Sequence, residues 1–226
     1  MTDTKERILD TAERLFAKQG YAATSLRGII AEAGVNLAAV HYHFHSKEAL
    51  LEAVILRRSV PANRERLALL DRFEKEGEGN PPSLEKVIEA FVAPTLQMSR
   101  DPQSGGIVFM KLLGRLHAEG VLLPRILTSQ FGDVLERFGA ALRAALPDLP
   151  PEDLSWRLNL AIGALAQTLR GGSKDLETIS NLPLSVSPAS DSENVLERLV
   201  AFLSAGFRAP VPTHAVQQAH VAVQER

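Results

Sequence analysis

Between Asn36 and Lys47 the chain gathers side chains suited to one kind of chemistry, contact with a nucleic acid: Asn36, Leu37, Ala38, Ala39, His41, Tyr42, His43 and Lys47. Ala38 and Ala39 are small enough to admit base edges and thymine methyl groups, whereas Tyr42, His43 and the Lys47 ammonium can donate to phosphate oxygens. Lys47 follows Ser46, a good capping residue, so backbone N–H groups and the positive end of a helix dipole would reinforce phosphate attraction there. Thr24, Ser25 and Arg27 add two hydroxyls and a guanidinium just upstream and complete the expected DNA-contacting set.

These residues need short helices to hold them. Thr24 or Ser25 can cap a helix carrying Leu26, Ile29, Ile30 and Ala33, an apolar stripe at i, i+3, i+4 and i+7 that must face a core. Gly34 permits positive φ and a tight reversal, with Val35 sealing the turn underneath. Asn36 caps the next helix, whose Leu37, Val40 and Phe44 are spaced to bury one face. Before Gly20, Ile8, Leu9, Ala12, Leu15 and Phe16 form a first amphipathic helix, opened by Asp3 with Glu6 in capping-box register. Three helices then share a small core, and the last projects as a rod of the kind that enters a major groove.

The run from Glu6 to Val54, ERILDTAERLFAKQGYAATSLRGIIAEAGVNLAAVHYHFHSKEALLEAV, resembles the N-terminal DNA-binding domain of the TetR family of bacterial repressors. The likeness rests on ILDTAERLF, the G-Y-x-x-T-S hinge, AEAGV, the Y-H-F end of the recognition helix and the S-K-E-A-L that follows. GVNLAAV resembles a branch of regulators of fatty-acid metabolism, and FMKLLGRL, PPEDLSWRLN and FLSAGFRA resemble its C-terminal half more loosely. Two positions depart from the pattern: Ile30 stands where the family has a small residue, and His41 where Leu or Asn is usual. The resemblance implies an all-α fold, with a three-helix helix-turn-helix domain over 1–46, a larger helical ligand-binding and dimerisation domain over 47–208, and a frayed tail over 209–226.

With 226 residues there is material for one small and one larger domain. The absence of Cys removes disulfides, thiolate metal sites and cysteine nucleophiles and suits a reducing cytoplasm, the expected location. No secretory leader or membrane-length apolar run is apparent, and no membrane partner is expected. The net charge of −2 does not announce a DNA binder, so charge must be sorted by face rather than by total.

Beyond the reader the pattern is helical. A linking helix starts at Ser46, with a kink or break expected at Pro61 and another at Pro94. GEGNPP (77–82) is a loop; helical segments follow at 83–98, 107–117, 124–146 and 151–170, and a last one opens at Ser190 to Glu193. The resemblance implies a two-fold homodimer through the last two long helices, where small residues from Leu158 to Ala166 permit close approach and Val195, Leu196, Leu199, Val200, Phe202 and Leu203 supply an apolar partner. Phe91, Met98, Phe109, Met110, Leu113, Phe131, Leu135 and Trp156 are the candidate ligand-binding residues, bulky groups at helical spacing that serve equally well as core. Arg115, His117, Arg125, Arg157 and Arg170 are candidates for an acid headgroup.

The expected function is a ligand-responsive repressor, released from a palindromic double-stranded DNA operator by a small-molecule effector, an apolar acid such as a fatty acid or acyl-CoA. The alternatives are an efflux or drug-response regulator binding uncharged or cationic aromatics, and a ligand-independent helical DNA-binding protein. His41, His43 and His45 alternate by two, which on a helix cannot converge on one ion. No cofactor is expected. No G-x-S-x-G, P-loop or Rossmann glycine run is present, so the reading is not enzymatic.

Overall fold

The computed structural model describes residues 4–100, 105–119, 124–170 and 192–211, and every regular element among them is α-helical. In chain order these are α1 (Thr4–Gln19), α2 (Leu26–Ala33), α3 (Leu37–Phe44), α4 (Lys47–Glu76), α5 (Leu84–Arg100), α6 (Gly106–Ala118), α7 (Pro124–Ala145), α8 (Pro151–Arg170) and α9 (Ser192–Arg208). Asp3, the 181–191 segment and the tail beyond 211 lie outside the described residues.

Two apolar clusters organise the chain. The first joins Ile8, Leu9, Leu15 and Phe16 of α1 to Ile29, Val40 and Phe44, then to Leu50, Leu51, Val54 and Ile55 at the start of α4, and to Phe109, Leu112 and Leu116 of α6. It therefore runs past residue 46, because α4 and α6 complete the core that three short helices cannot close alone. Ile30 sits half-buried at its edge. The second cluster unites the C-terminal half of α4 (Leu70, Phe73) with α5, α7, α8 and α9.

α4 is the common beam of both clusters, and it runs through Pro61 without a break, as α5 runs through Pro94. A proline inside a helix loses one backbone bond, and apolar burial on both sides of each proline offsets that loss. α5 and α6 approach so closely at their junction that a Cβ on Gly106 would lie 2.1 Å from the Met98 carbonyl oxygen.

Candidate nucleic-acid interface

Each short helix of the reader is held by local chemistry. Ser25 rather than Thr24 caps α2: its Oγ accepts from Gly28 N at 3.0 Å. Gly34 ends α2 with φ 61°, its N–H directed at the Ala31 carbonyl, while Val35 N donates to Ile30 O at 3.2 Å. Asn36 Oδ1 accepts from Ala39 N at 2.8 Å to open α3, and Ser46 Oγ accepts from Ala49 N at 3.0 Å to open α4. Between them His45 takes φ 62°, a left-handed value that no glycine signals in the sequence.

Burial fixes which face of α3 is free. Val40 and Phe44 enter the first core, while Ala38, His41 and Tyr42 point outward, Tyr42 at 79% exposure. Leu37 does not join the buried face. It is 53% exposed, because the first turn of α3 overhangs the core, and this leaves it with the outward residues. Ala39 and His43 are half-buried, and Ala39 packs against the core, so the small outward position falls to Ala38. Ser25, Arg27 and Asn36 are exposed beside α3.

Thr24 must be removed from the contact set. It is 2% exposed and its hydroxyl donates to the Gly20 carbonyl at 2.6 Å, tying the α1–α2 turn rather than facing a ligand. Lys47 is half-buried, its Nζ 4.2 Å from the Tyr21 ring centroid. Desolvation pulls its pKa down and the nearby Glu119 carboxylate opposes that pull.

α3 contains no acidic residue, and several acids of the helices before it are held in ion pairs. Glu6, Asp10 and Glu13 on α1 all pair with Arg57 of α4, at 3.1 Å and 2.7 Å for the first two, and Glu13 also meets Arg58 at 3.0 Å. Glu32 pairs with Arg14. A near-neutral domain thereby keeps an acid-free reading helix.

The ligand-binding candidates do not converge. Phe109 is buried in the first core, with Met98, Met110 and Leu113 packed against it, because the apolar face of α6 seals the reader domain. Trp156 is 67% exposed and Leu135 and Phe131 lie toward the surface. Only Phe91 reaches an apolar cleft in the second core, lined also by Val87, Ile88, Phe138, Leu142 and Phe207, with space for about one water. Arg157 Nη1 donates to the Phe207 carbonyl at 2.7 Å and Arg115 Nη1 donates to the Lys18 carbonyl, so neither waits for an acid. The side chains of His117, Arg125 and Arg170 lie outside the described residues.

Two family profiles match the chain: "Bacterial regulatory proteins, tetR family" over residues 8–54, and "Tetracyclin repressor-like, C-terminal domain" over residues 89–206. The chain belongs to the TetR family. Membership places it among helix-turn-helix transcriptional regulators and not among enzymes. It is 53% identical over 51 residues to the uncharacterised HTH-type transcriptional regulator YerO of Bacillus subtilis, covering 23% of this chain and 18% of YerO. It is 27% identical over 145 residues to the HTH-type transcriptional repressor BepR of Brucella suis, covering 63% of this chain and 66% of BepR. The matched stretches thus span less than two thirds of either relative. SmeT, described as the repressor of the Stenotrophomonas maltophilia multidrug efflux pump SmeDEF, superposes with a TM-score of 0.57 at 21% identity, over 93% of this chain and 98% of that one. This likeness is one of fold. Among the described residues of the present TetR-family chain, no helix is long and apolar enough to cross a membrane, and no cluster of metal-ligand type occurs.

Proposed function

We propose that the protein is a homodimeric, ligand-responsive transcriptional repressor that places one α3 per subunit in successive major grooves of a near-palindromic operator. The observation that carries this reading is the free face of α3, where Leu37, Ala38, His41 and Tyr42 project from a helix capped at Asn36 and anchored by Val40 and Phe44. BepR, described as a repressor, supports the sign of regulation. DNase footprinting on the DNA flanking the protein's own gene tests it: protection of two half-sites about 10 base pairs apart, centre to centre, or a multiple of that, is expected. A single unpaired half-site would reject the dimeric reader.

α8 and α9 supply the dimer surface. Trp156, Leu160 and Ile162 on α8 and Phe202 on α9 are exposed large apolar residues, an arrangement that calls for cover. Ala164 packs instead against the subunit's own core, so a charge at Phe202 is the cleaner probe. Phe202→Glu is expected to yield a folded monomer by sedimentation, with operator affinity reduced in parallel; an unchanged dimer would move the interface elsewhere.

The effector assigned to the body is an apolar acid, such as a long-chain fatty acid or its CoA thioester. The cleft beside Phe91 has a wholly apolar lining, which suits a hydrocarbon chain. Each methylene buried contributes about 0.8 kcal/mol, so release from DNA should strengthen with chain length until the space is full. Cytoplasmic location follows from the same reading.

A further inference from the structure

Four polar side chains are buried in the otherwise apolar seam between α4 and α5. Ser59, Asn63 and Arg66 follow one another at i, i+4 and i+7 along one face of α4, and Thr95 meets them from α5. Arg66 is 7% exposed. Its Nε donates to the Phe91 carbonyl at 2.8 Å, its Nη1 to Asn63 Oδ1 at 2.6 Å and its Nη2 to Thr95 Oγ1. All three acceptors are neutral, and no carboxylate pairs with Arg66 among the described residues. Burial alone lowers its pKa to about 10, which leaves it cationic at neutral pH.

A buried cation without a counter-charge is among the least favourable arrangements a core can hold. A guanidinium has five N–H donors, of which three are used here, so each terminal nitrogen retains one. Ser59 presents a second unmet demand. Its Oγ is buried and has no hydrogen-bond partner among the described residues. Arg66 leans toward the N-terminus of α4 in reaching Asn63, which carries its guanidinium toward the turn that holds Ser59.

Phe91 connects this seam to the cleft. The Arg66 guanidinium carbon lies 5.1 Å from the Phe91 ring centroid, while the same ring packs edge-on against Phe138 at 5.3 Å and lines the cleft beyond. We propose that Arg66 and Ser59 form the seat for the carboxylate of a free apolar acid whose chain enters the cleft as Phe91 turns aside. One ligand group would satisfy both demands, since a carboxylate can accept from the two terminal guanidinium nitrogens and from a hydroxyl together. The acyl carbonyl of a CoA thioester is neutral and cannot serve as the carboxylate this seat requires, so the inference, which rests on the ligand-responsive reading above, narrows the effector to the unesterified acid.

The test is calorimetric titration of the full-length protein with decanoate and with decanol, repeated for Arg66→Gln and Ser59→Ala. Decanoate is expected to bind wild type at least about tenfold more tightly than decanol, the scale of a charge-assisted hydrogen bond. Arg66→Gln should erase that preference, and Ser59→Ala should reduce decanoate affinity several-fold while sparing decanol. If Arg66→Gln does not fold, wild type and Ser59→Ala decide between them. Equal binding of the two ligands by wild type, no binding of decanoate, or an acid preference untouched by either substitution overturns the seat. Operator binding is measured on the same samples: a protein that holds its operator but shows no acid preference loses only this inference, whereas one that binds no operator loses the regulator reading.

Discussion

Glu13 and Arg66 are both charged and nearly inaccessible, yet their surroundings are opposite. Glu13, at the joint between α1 and α4, is met by Arg57 and Arg58, and Arg57 is met in turn by Glu6 and Asp10; among these arginine nitrogens Arg57 Nε alone is buried without a partner. Arg66, about two turns further along the same helix, has only neutral acceptors. Where α4 joins the reader to the body, two guanidiniums are held among three carboxylates and the cluster acts as a tie. Where α4 lines the body, the charge is left open. One helix thus carries a paired buried charge at its start and an open one further on.

The largest expected effect breaks the tie. Glu13→Gln leaves Arg57 and Arg58 without their shared inner carboxylate and should cost about 3 kcal/mol of stability, as expected when one member of a buried ion pair is removed. Urea denaturation followed by circular dichroism measures it, and a loss below about 0.5 kcal/mol would make the joint ornamental. Arg66→Met is expected to cost less, about 1–2 kcal/mol without effector, because relief of an uncompensated buried cation offsets part of the loss of its hydrogen bonds to Phe91 O, Asn63 Oδ1 and Thr95 Oγ1. A loss as large as that of Glu13→Gln would turn Arg66 into a second tie and end the contrast. Lys47→Ala tests a cation that is only half-buried and should barely change stability. Its effect belongs to DNA, where it should weaken all sequences alike and lower the salt slope by about one unit. A change of base preference with the slope intact would reassign Lys47 to base reading.

Much of this was legible in the sequence, and for stated reasons. Asn36, Gly34 and Ser46 mark helix ends through local hydrogen bonds that need no tertiary context, and α8 occupies the expected residues from Pro151 to Arg170. Periodicity shows that a helix has a buried face but not what it is buried against. For that reason Phe109, Met110 and Leu113 read as pocket lining when they belong to the seal between α6 and the reader. Thr24 misled for a related reason, since its hydroxyl serves a turn made by Gly20, four residues away. Arg66 was missed because it stands in Arg64-Glu65-Arg66, which reads as a solvated charge run, and only the packing of α5 over that one position distinguishes it.

The contact between the end of α6 and the turn after α1 is made to main-chain atoms. Glu119 accepts from Tyr21 N at 3.0 Å and Ala22 N at 3.4 Å, while Arg115 donates to the Lys18 carbonyl. Backbone groups are the same whatever side chains stand beside them, so this end of the contact, unlike the apolar packing of Phe109, Leu112 and Leu116, asks almost nothing of the reader's composition. Its one demand falls on Gly20, at φ 89°, where an added Cβ would lie 2.1 Å from Glu119 Oε1. The reader is in this sense a fitting with a standard thread: α3 can be rewritten for another base sequence while its seat on α6 stays in place.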